Sequence, residues 1–235
     1  MKPIAIFDID GTIFRSSLMI ELFKHLVRKN IFPKSSMAKI QNSEQKWLNR
    51  KGHYSEFVSD VVEAYHNAIK RKKRSDIIAA SREVIREQKH RTYRFTLALL
   101  RKLKKRYLTI AISGSPFEAV REYNKFLKFD KFYAEEFGVN EKGIYTGKIL
   151  HMPTLYKREL VVRYVQNHNL SFKNSIGVGD TETDIGFLDL VQEPVAFNPN
   201  NVLARYARKK NWKIVIERKD LVIEFNPKKV KFLRV

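Results

Sequence analysis

Two carboxylates one residue apart, Asp8 and Asp10, end the apolar run Pro3-Ile4-Ala5-Ile6-Phe7 and are followed at once by Gly11-Thr12. In the middle of a buried strand they would be costly to desolvate. At the carboxyl end of a parallel strand they instead face the crevice in which open α/β sheets bind ligands. Two acidic oxygens held close there can bind a hard cation, and a carboxylate is also a nucleophile. An ordinary strand-to-turn junction accounts for the same residues without chemistry, so other positions have to agree.

Three do. Gly177-Val178-Gly179-Asp180-Thr181-Glu182-Thr183-Asp184 again sets carboxylates where an apolar run stops, with glycines that permit close approach. Ser113-Gly114-Ser115-Pro116 ends a third run in a hydroxyl, a glycine and a proline suited to the first turn of a helix. A serine there is commonly just an N-cap, yet the same geometry aims free N–H groups and the positive helix end at a nearby phosphate. Lys157, after Met152-Pro153-Thr154, opens an amphipathic stretch; unaided, it is one lysine among many.

The elements that must position these residues follow from periodicity. Short apolar runs at 4–7, 108–112, 175–178 and 195–197 read as buried strands. Amphipathic stretches at 95–105, 116–127, 155–167 and 202–210 lie between them, and this alternation predicts a doubly wound, mostly parallel α/β sheet. Residues 133–149, with Gly138, Gly143 and Gly147, predict a β-hairpin turning at 141–143. From 16 to 91 the apolar residues fall at helical spacing, which predicts a helical insertion able to lie over the strand ends.

At 235 residues and 43% hydrophobic the chain can bury a sizeable core. With no cysteine, disulfides and thiolate metal sites are excluded. No apolar run approaches the ~18–20 residues that span a bilayer, and no signal-peptide pattern opens the chain, so a cytoplasmic protein is expected. The net charge of +21 attracts phosphorylated small molecules and polyanions such as RNA or acidic lipid alike. The excess is spread out: 17 basic against 8 acidic residues over 15–89, and 11 against 3 from 205 to the end. Only Lys70-Arg71-Lys72-Lys73-Arg74 is a compact run, and a solvated loop or helix face explains it.

Taken in this order, the Asp8-Ile9-Asp10-Gly11-Thr12, Ser113, Lys157 and Asp180–Asp184 positions resemble the four motifs of the haloacid dehalogenase-like hydrolase superfamily. The insertion after the first motif is similar to the type 1 helical cap of its phosphoserine-phosphatase-like branch. The resemblance implies a cap at 16–91 on a Rossmann-like core of 1–15 and 92–235. It further implies a phosphatase acting on a small phosphate monoester through an aspartyl-phosphate. Asp8 would be the nucleophile and Asp10 the general acid and base. Mg²⁺ would be held by the carboxylates of Asp8 and Asp180 and the backbone carbonyl of Asp10, with Asp184 supporting its shell. Ser113, Gly114 and Lys157 would bind the phosphoryl group.

True phosphoserine phosphatases carry a cap glutamate shortly after the first motif. Here that stretch is Phe14-Arg15-Ser16-Ser17-Leu18, and Glu21 comes four residues late. Arg15 favours a substrate with an additional anionic group. A phosphomutase is an alternative within the same chemistry. The rival from another class is a nucleic-acid-binding protein on this scaffold, with Tyr93-Arg94-Phe95 and Lys210-Asn211-Trp212-Lys213 stacking bases. The sequence says nothing about oligomeric state.

Overall fold

The structure, a computed structural model, describes residues 2–225; the end of the basic C-terminal stretch lies outside the described residues. Eight strands form one sheet in the order β4-β3-β2-β1-β5-β6-β7-β8. They are β1 (Ile4–Asp8), β2 (Leu108–Pro116), β3 (Lys131–Val139), β4 (Tyr145–His151), β5 (Ile176–Gly179), β6 (Glu193–Phe197), β7 (Lys213–Arg218) and β8 (Leu221–Phe225). All pairings from β3 through β7 are parallel; only the flanking β4 and β8 run antiparallel.

The four runs and the hairpin expected from sequence are β1, β2, β5, β6 and β3–β4, and the fold class is the doubly wound one predicted. The hairpin turns as predicted, with Asn140 Oδ1 accepting from the Lys142 and Ile144 N–H groups and Gly143 at φ 72°. β7 and β8 went unpredicted. Three apolar residues, Ile214, Val215 and Ile216, are all that mark β7 between charged ends, and β8 is largely exposed.

Both faces of the sheet are covered, which is why β1 reads as an unbroken apolar run. Ala5 and Phe7 point into one apolar cluster, Ile4 and Ile6 into the other. The first face is covered by α1 (Leu18–Arg28), α3 (Tyr54–Ile69), α4 (Arg74–Gln88), α5 (Arg94–Leu103) and α6 (Phe117–Leu127). The second is covered by α7 (Lys157–Asn167), the short α8 (Ile185–Leu188) and α9 (Asn201–Lys210). With α2 (Met37–Leu48), helices α1, α3 and α4 make the stretch between β1 and α5 helical.

Local signals set the helix ends. Lys128 in the left-handed region stops α6, and Asn211 stops α9. The Asn200 side chain caps the start of α9 by accepting from the Leu203 N–H at 2.9 Å. Tyr93 and Phe95 pack on Phe197, with ring centroids 4.9 and 5.9 Å away, and Trp212 is buried against Tyr206. Of the aromatic residues on which a nucleic-acid reading would rest, Trp212 is therefore buried, and Tyr93 and Phe95 are half-buried against the core.

Candidate active site

Strand order reverses at β1, which has β2 on one side and β5 on the other. A reversal opens a crevice beyond the carboxyl ends of the strands involved. Asp8 and Asp10 stand at the end of β1, Ser113 near the end of β2, and Asp180 just past β5. Three adjacent strands thus deliver the residues singled out from sequence to one place.

Asp8 is buried, and its Oδ1 accepts from Lys157 Nζ at 2.7 Å. Its Oδ2 is also buried and has no hydrogen-bond partner. Burial pushes the Asp8 carboxyl well above the usual range; Lys157 opposes this, while the Asp184 and Asp10 charges add to it. Asp180 is likewise raised, by burial first and then by Asp8 and Asp184. Lys157 Nζ also reaches Asp184 Oδ1 at 2.6 Å, and with 3% of its surface exposed it is the buried cation of the cluster. Burial alone would lower its pKa, but Asp184 and Asp8 reverse the sign and raise it.

Asp184 is fully committed: its Oδ2 accepts from the backbone N–H groups of Asp180 and Thr181, at 3.0 and 3.1 Å. It positions the Asp180 loop and Lys157. Asp10 accepts from the Leu18 N–H at 2.6 Å through Oδ1, and from the Ser113 and Ser115 hydroxyls at 2.6 and 2.9 Å through Oδ2. Burial nonetheless outweighs these bonds and raises its pKa. Ser113 thus spends its one proton on Asp10. Gly114 is needed for close packing, since a Cβ there would lie 2.7 Å from Thr154 Cγ2.

Two residues were missed from sequence. Thr12 donates to Asp180 Oδ1 at 3.1 Å, and Ser115 both holds Asp10 and accepts from the Met19 N–H at 2.9 Å. Both lie beside motif residues, but a hydroxyl's long-range partner leaves no mark in sequence.

The donor set suits a small hard cation. Counting Asp8, Asp10, Asp180 and Asp184 against Lys157, carboxylates outnumber cations and both Asp8 and Asp180 resist ionisation. Among the described residues no three acidic or imidazole side chains form a closed cage. Mg²⁺ is commonly held by one or two carboxylates, with water and substrate phosphate completing its shell. The buried, unpartnered Oδ2 of Asp8 and the neighbouring Asp180 carboxylate fit that requirement.

Gly11 keeps this geometry open. Its φ is 81°, and a Cβ would fall within contact distance of Asp180 Oδ2. Gly11→Ala should therefore cost about 1–3 kcal/mol from backbone strain alone and displace Asp180. Thermal unfolding and Mg²⁺ titration check both effects.

Glu21, the late acid, is consumed by hydrogen bonds within the helical insertion and its flanks. Its Oε1 accepts from Ser16 Oγ and Arg91 Nη1, both at 2.8 Å, and its Oε2 accepts from Gln88 Nε2 at 2.9 Å. Burial would raise its pKa, but the Gln88 and Ser16 hydrogen bonds and the Arg91 and Lys24 charges bring it below the usual range. A depressed carboxyl stabilises the fold above its unfolded pKa and loses that contribution as pH falls through the folded value. Glu21→Gln should accordingly cost up to about 1 kcal/mol at pH 7, with the difference vanishing once pH drops well below about 4. Denaturant melts at the two pH values read it directly.

Residues 5–189 match the family model described as haloacid dehalogenase-like hydrolase. No curated protein matches the chain. Among solved structures, a protein of unknown function from Bordetella pertussis Tohama I is similar at TM-score 0.72 and 16% identity, covering 91% of this chain and 98% of its own. A phosphoserine phosphatase described as a phospho-aspartyl intermediate analogue is similar at TM-score 0.61 and 18% identity, covering 93% of this chain and 95% of its own. A phosphoserine phosphohydrolase-like protein from Francisella tularensis has TM-score 0.55 and 16% identity, with coverage of 84% and 87%.

Proposed function

This chain belongs to the haloacid dehalogenase-like hydrolases, and from that premise we propose that it is a Mg²⁺-dependent phosphatase in which Asp8 forms an aspartyl-phosphate with a small, anionic phosphate monoester. One observation carries the reading. Asp8 lies at the sheet's reversal point with one oxygen held by Lys157 and the other buried and left without a hydrogen-bond partner.

Hydrolysis of phosphate monoesters is among the slowest of uncatalysed reactions, with enzymatic enhancements reaching ~10²¹, so both a nucleophile and dense charge compensation are needed. In the first step an Asp8 oxygen bonds to phosphorus while the ester P–O bond breaks. Asp10 gives its proton to the departing oxygen. The raised pKa of Asp10 suits it to carry that proton, and its bonds to Ser113, Ser115 and the Leu18 N–H fix its direction. In the second step Asp10 takes a proton from water, which attacks phosphorus and releases phosphate from Asp8.

Mg²⁺, held by Asp8, Asp180 and the Asp10 carbonyl, would supply the positive charge that the phosphoryl oxygens develop against. Lys157 orients Asp8 and lies within reach of the phosphoryl group, and Gly114 keeps the backbone near it. The phosphoserine phosphatase described as a phospho-aspartyl intermediate analogue supports this reading by sharing the fold. In this reading residues 16–91 cap a core of 1–15 and 92–235, and the protein works in the cytoplasm.

Glu21 and Arg15 bear on the substrate. With both oxygens engaged by Ser16, Gln88 and Arg91, Glu21 is not free to meet a substrate ammonium group. The Arg15 guanidinium lies 5.7 Å from the Tyr93 ring centroid, and Tyr93 is in turn in the field of Asp180. That cation suits a second anionic group on the substrate.

Release of phosphate from p-nitrophenyl phosphate, with Mg²⁺ and with excess chelator, tests the proposal. Turnover that requires the metal supports it, and equal turnover in chelator contradicts it.

A further inference from the structure

Beyond the reaction itself, one surface has a chemistry of its own. The run Lys70-Arg71-Lys72-Lys73-Arg74 is laid along the outer edge of β4 by backbone pairing. The Arg71 N–H donates to the Tyr145 carbonyl, the Tyr145 N–H to the Lys72 carbonyl, and the Arg74 N–H to the Gly143 carbonyl, each at 2.9 Å. Lys73 and Ile144 form an antiparallel bridge. Gly147, at φ 85°, leaves room for the Lys70 stem: a Cβ there would be 3.2 Å from both Lys70 Cβ and Cγ. The run therefore continues directly into the exposed Lys148-Ile149-Leu150 of β4.

Two properties of this edge stand out. Arg74 is paired with buried Glu118 at 2.9 Å. Among the described residues, Lys70, Arg71, Lys72, Lys73, Lys142 and Lys148 have no ion-pair partner, and the exposed acids beside them are Glu136 and Glu141. The apolar side chains next to these cations are aliphatic and exposed: Ile149 at 36% and Leu150 at 58%.

We infer that the β4 edge, with the 70–73 segment laid against it, is a docking surface for an anionic lipid bilayer. Cations fixed around exposed aliphatic side chains match the boundary between charged headgroups and acyl chains. Single-stranded nucleic acid would call for exposed rings on which bases stack. The rings that stand next to cations in the sequence are engaged elsewhere, Tyr93 and Phe95 half-buried against Phe197 and Trp212 buried against Tyr206, whereas the exposed apolar side chains of this edge are the aliphatic Ile149 and Leu150. Among the described residues no helix is long and apolar enough to cross a membrane, so the contact is peripheral.

Co-sedimentation of the full chain with vesicles tests this, using phosphatidylcholine alone and phosphatidylcholine with about one-third phosphatidylserine. Binding is expected only to the anionic vesicles. Each juxtaposed cation contributes about fivefold to partitioning, so Lys70→Glu/Lys72→Glu/Lys73→Glu should lower it at least about 100-fold. Ile149→Ser/Leu150→Ser, at unchanged charge, should lower it several-fold. Both variants should keep wild-type hydrolysis of a water-soluble ester, since none of these residues belongs to the proposed active site. No binding to anionic vesicles would overturn the inference. So would a lysine variant that binds like wild type, or serine substitutions without effect, the last being the outcome expected of a purely electrostatic surface such as one for RNA.

Discussion

Asp8→Asn is expected to lower phosphate release at least about 10⁴-fold, the scale on which removal of a covalent nucleophile is felt, while leaving the protein folded and no less stable. The two halves of this prediction have separate causes. The amide has the shape of the carboxylate but is a poor nucleophile, so the step that forms the acyl phosphate is lost. The carboxyl itself is raised well above its ordinary range by burial and by Asp184 and Asp10, so the fold gains little from its charge. Exchanging it for a neutral group relieves that repulsion while leaving Lys157 its 2.6 Å partner in Asp184. Steady-state kinetics and a thermal melt on the same preparation read both. A variant hydrolysing at more than about a hundredth of the wild-type rate would contradict the assignment.

Lys157→Met is expected to damage both fold and activity. Lys157 is buried and bridges Asp8 and Asp184 at 2.7 and 2.6 Å. Removing one member of a buried charge group leaves the others uncompensated, at a cost of about 3–5 kcal/mol. For a chain of this length that corresponds to a fall in melting temperature on the order of 10 °C. Met fills a similar volume, so most of the loss is electrostatic rather than a cavity. Turnover should fall about 10³-fold or more, because both the orientation of Asp8 and a positive charge beside the phosphoryl group are lost. A variant that melts like wild type would show that Lys157 is not the cation holding this cluster together.

Much of this site was legible in sequence because its chemistry is confined to strand ends. A run such as Ile4-Ala5-Ile6-Phe7 declares a strand buried on both faces, and Asp8 and Asp10 mark where it stops. Asp180 and Asp184 do the same for β5. What remained hidden depends on distance in three dimensions. Nothing in the sequence says that Thr12 finds Asp180 across 168 positions, or that Ser113 serves Asp10. Nor does Glu21 reveal that Gln88 and Arg91, at the far end of the helical insertion, occupy its oxygens. The edge strand β8 escaped for the opposite reason: it is exposed along most of its length, so burial left no pattern to read. The basic run at 70–74 was visible as composition, but its pairing with the hairpin was not.

A covalent intermediate on Asp8 would be trapped by acid quench during turnover of a ³²P-labelled ester in the presence of Mg²⁺. Label should be retained on the chain, stable to acid, released by mild base or hydroxylamine, confined to the peptide bearing Asp8 and missing from Asp8→Asn. Phosphate release with no label on the chain, undiminished in Asp8→Asn, would contradict it.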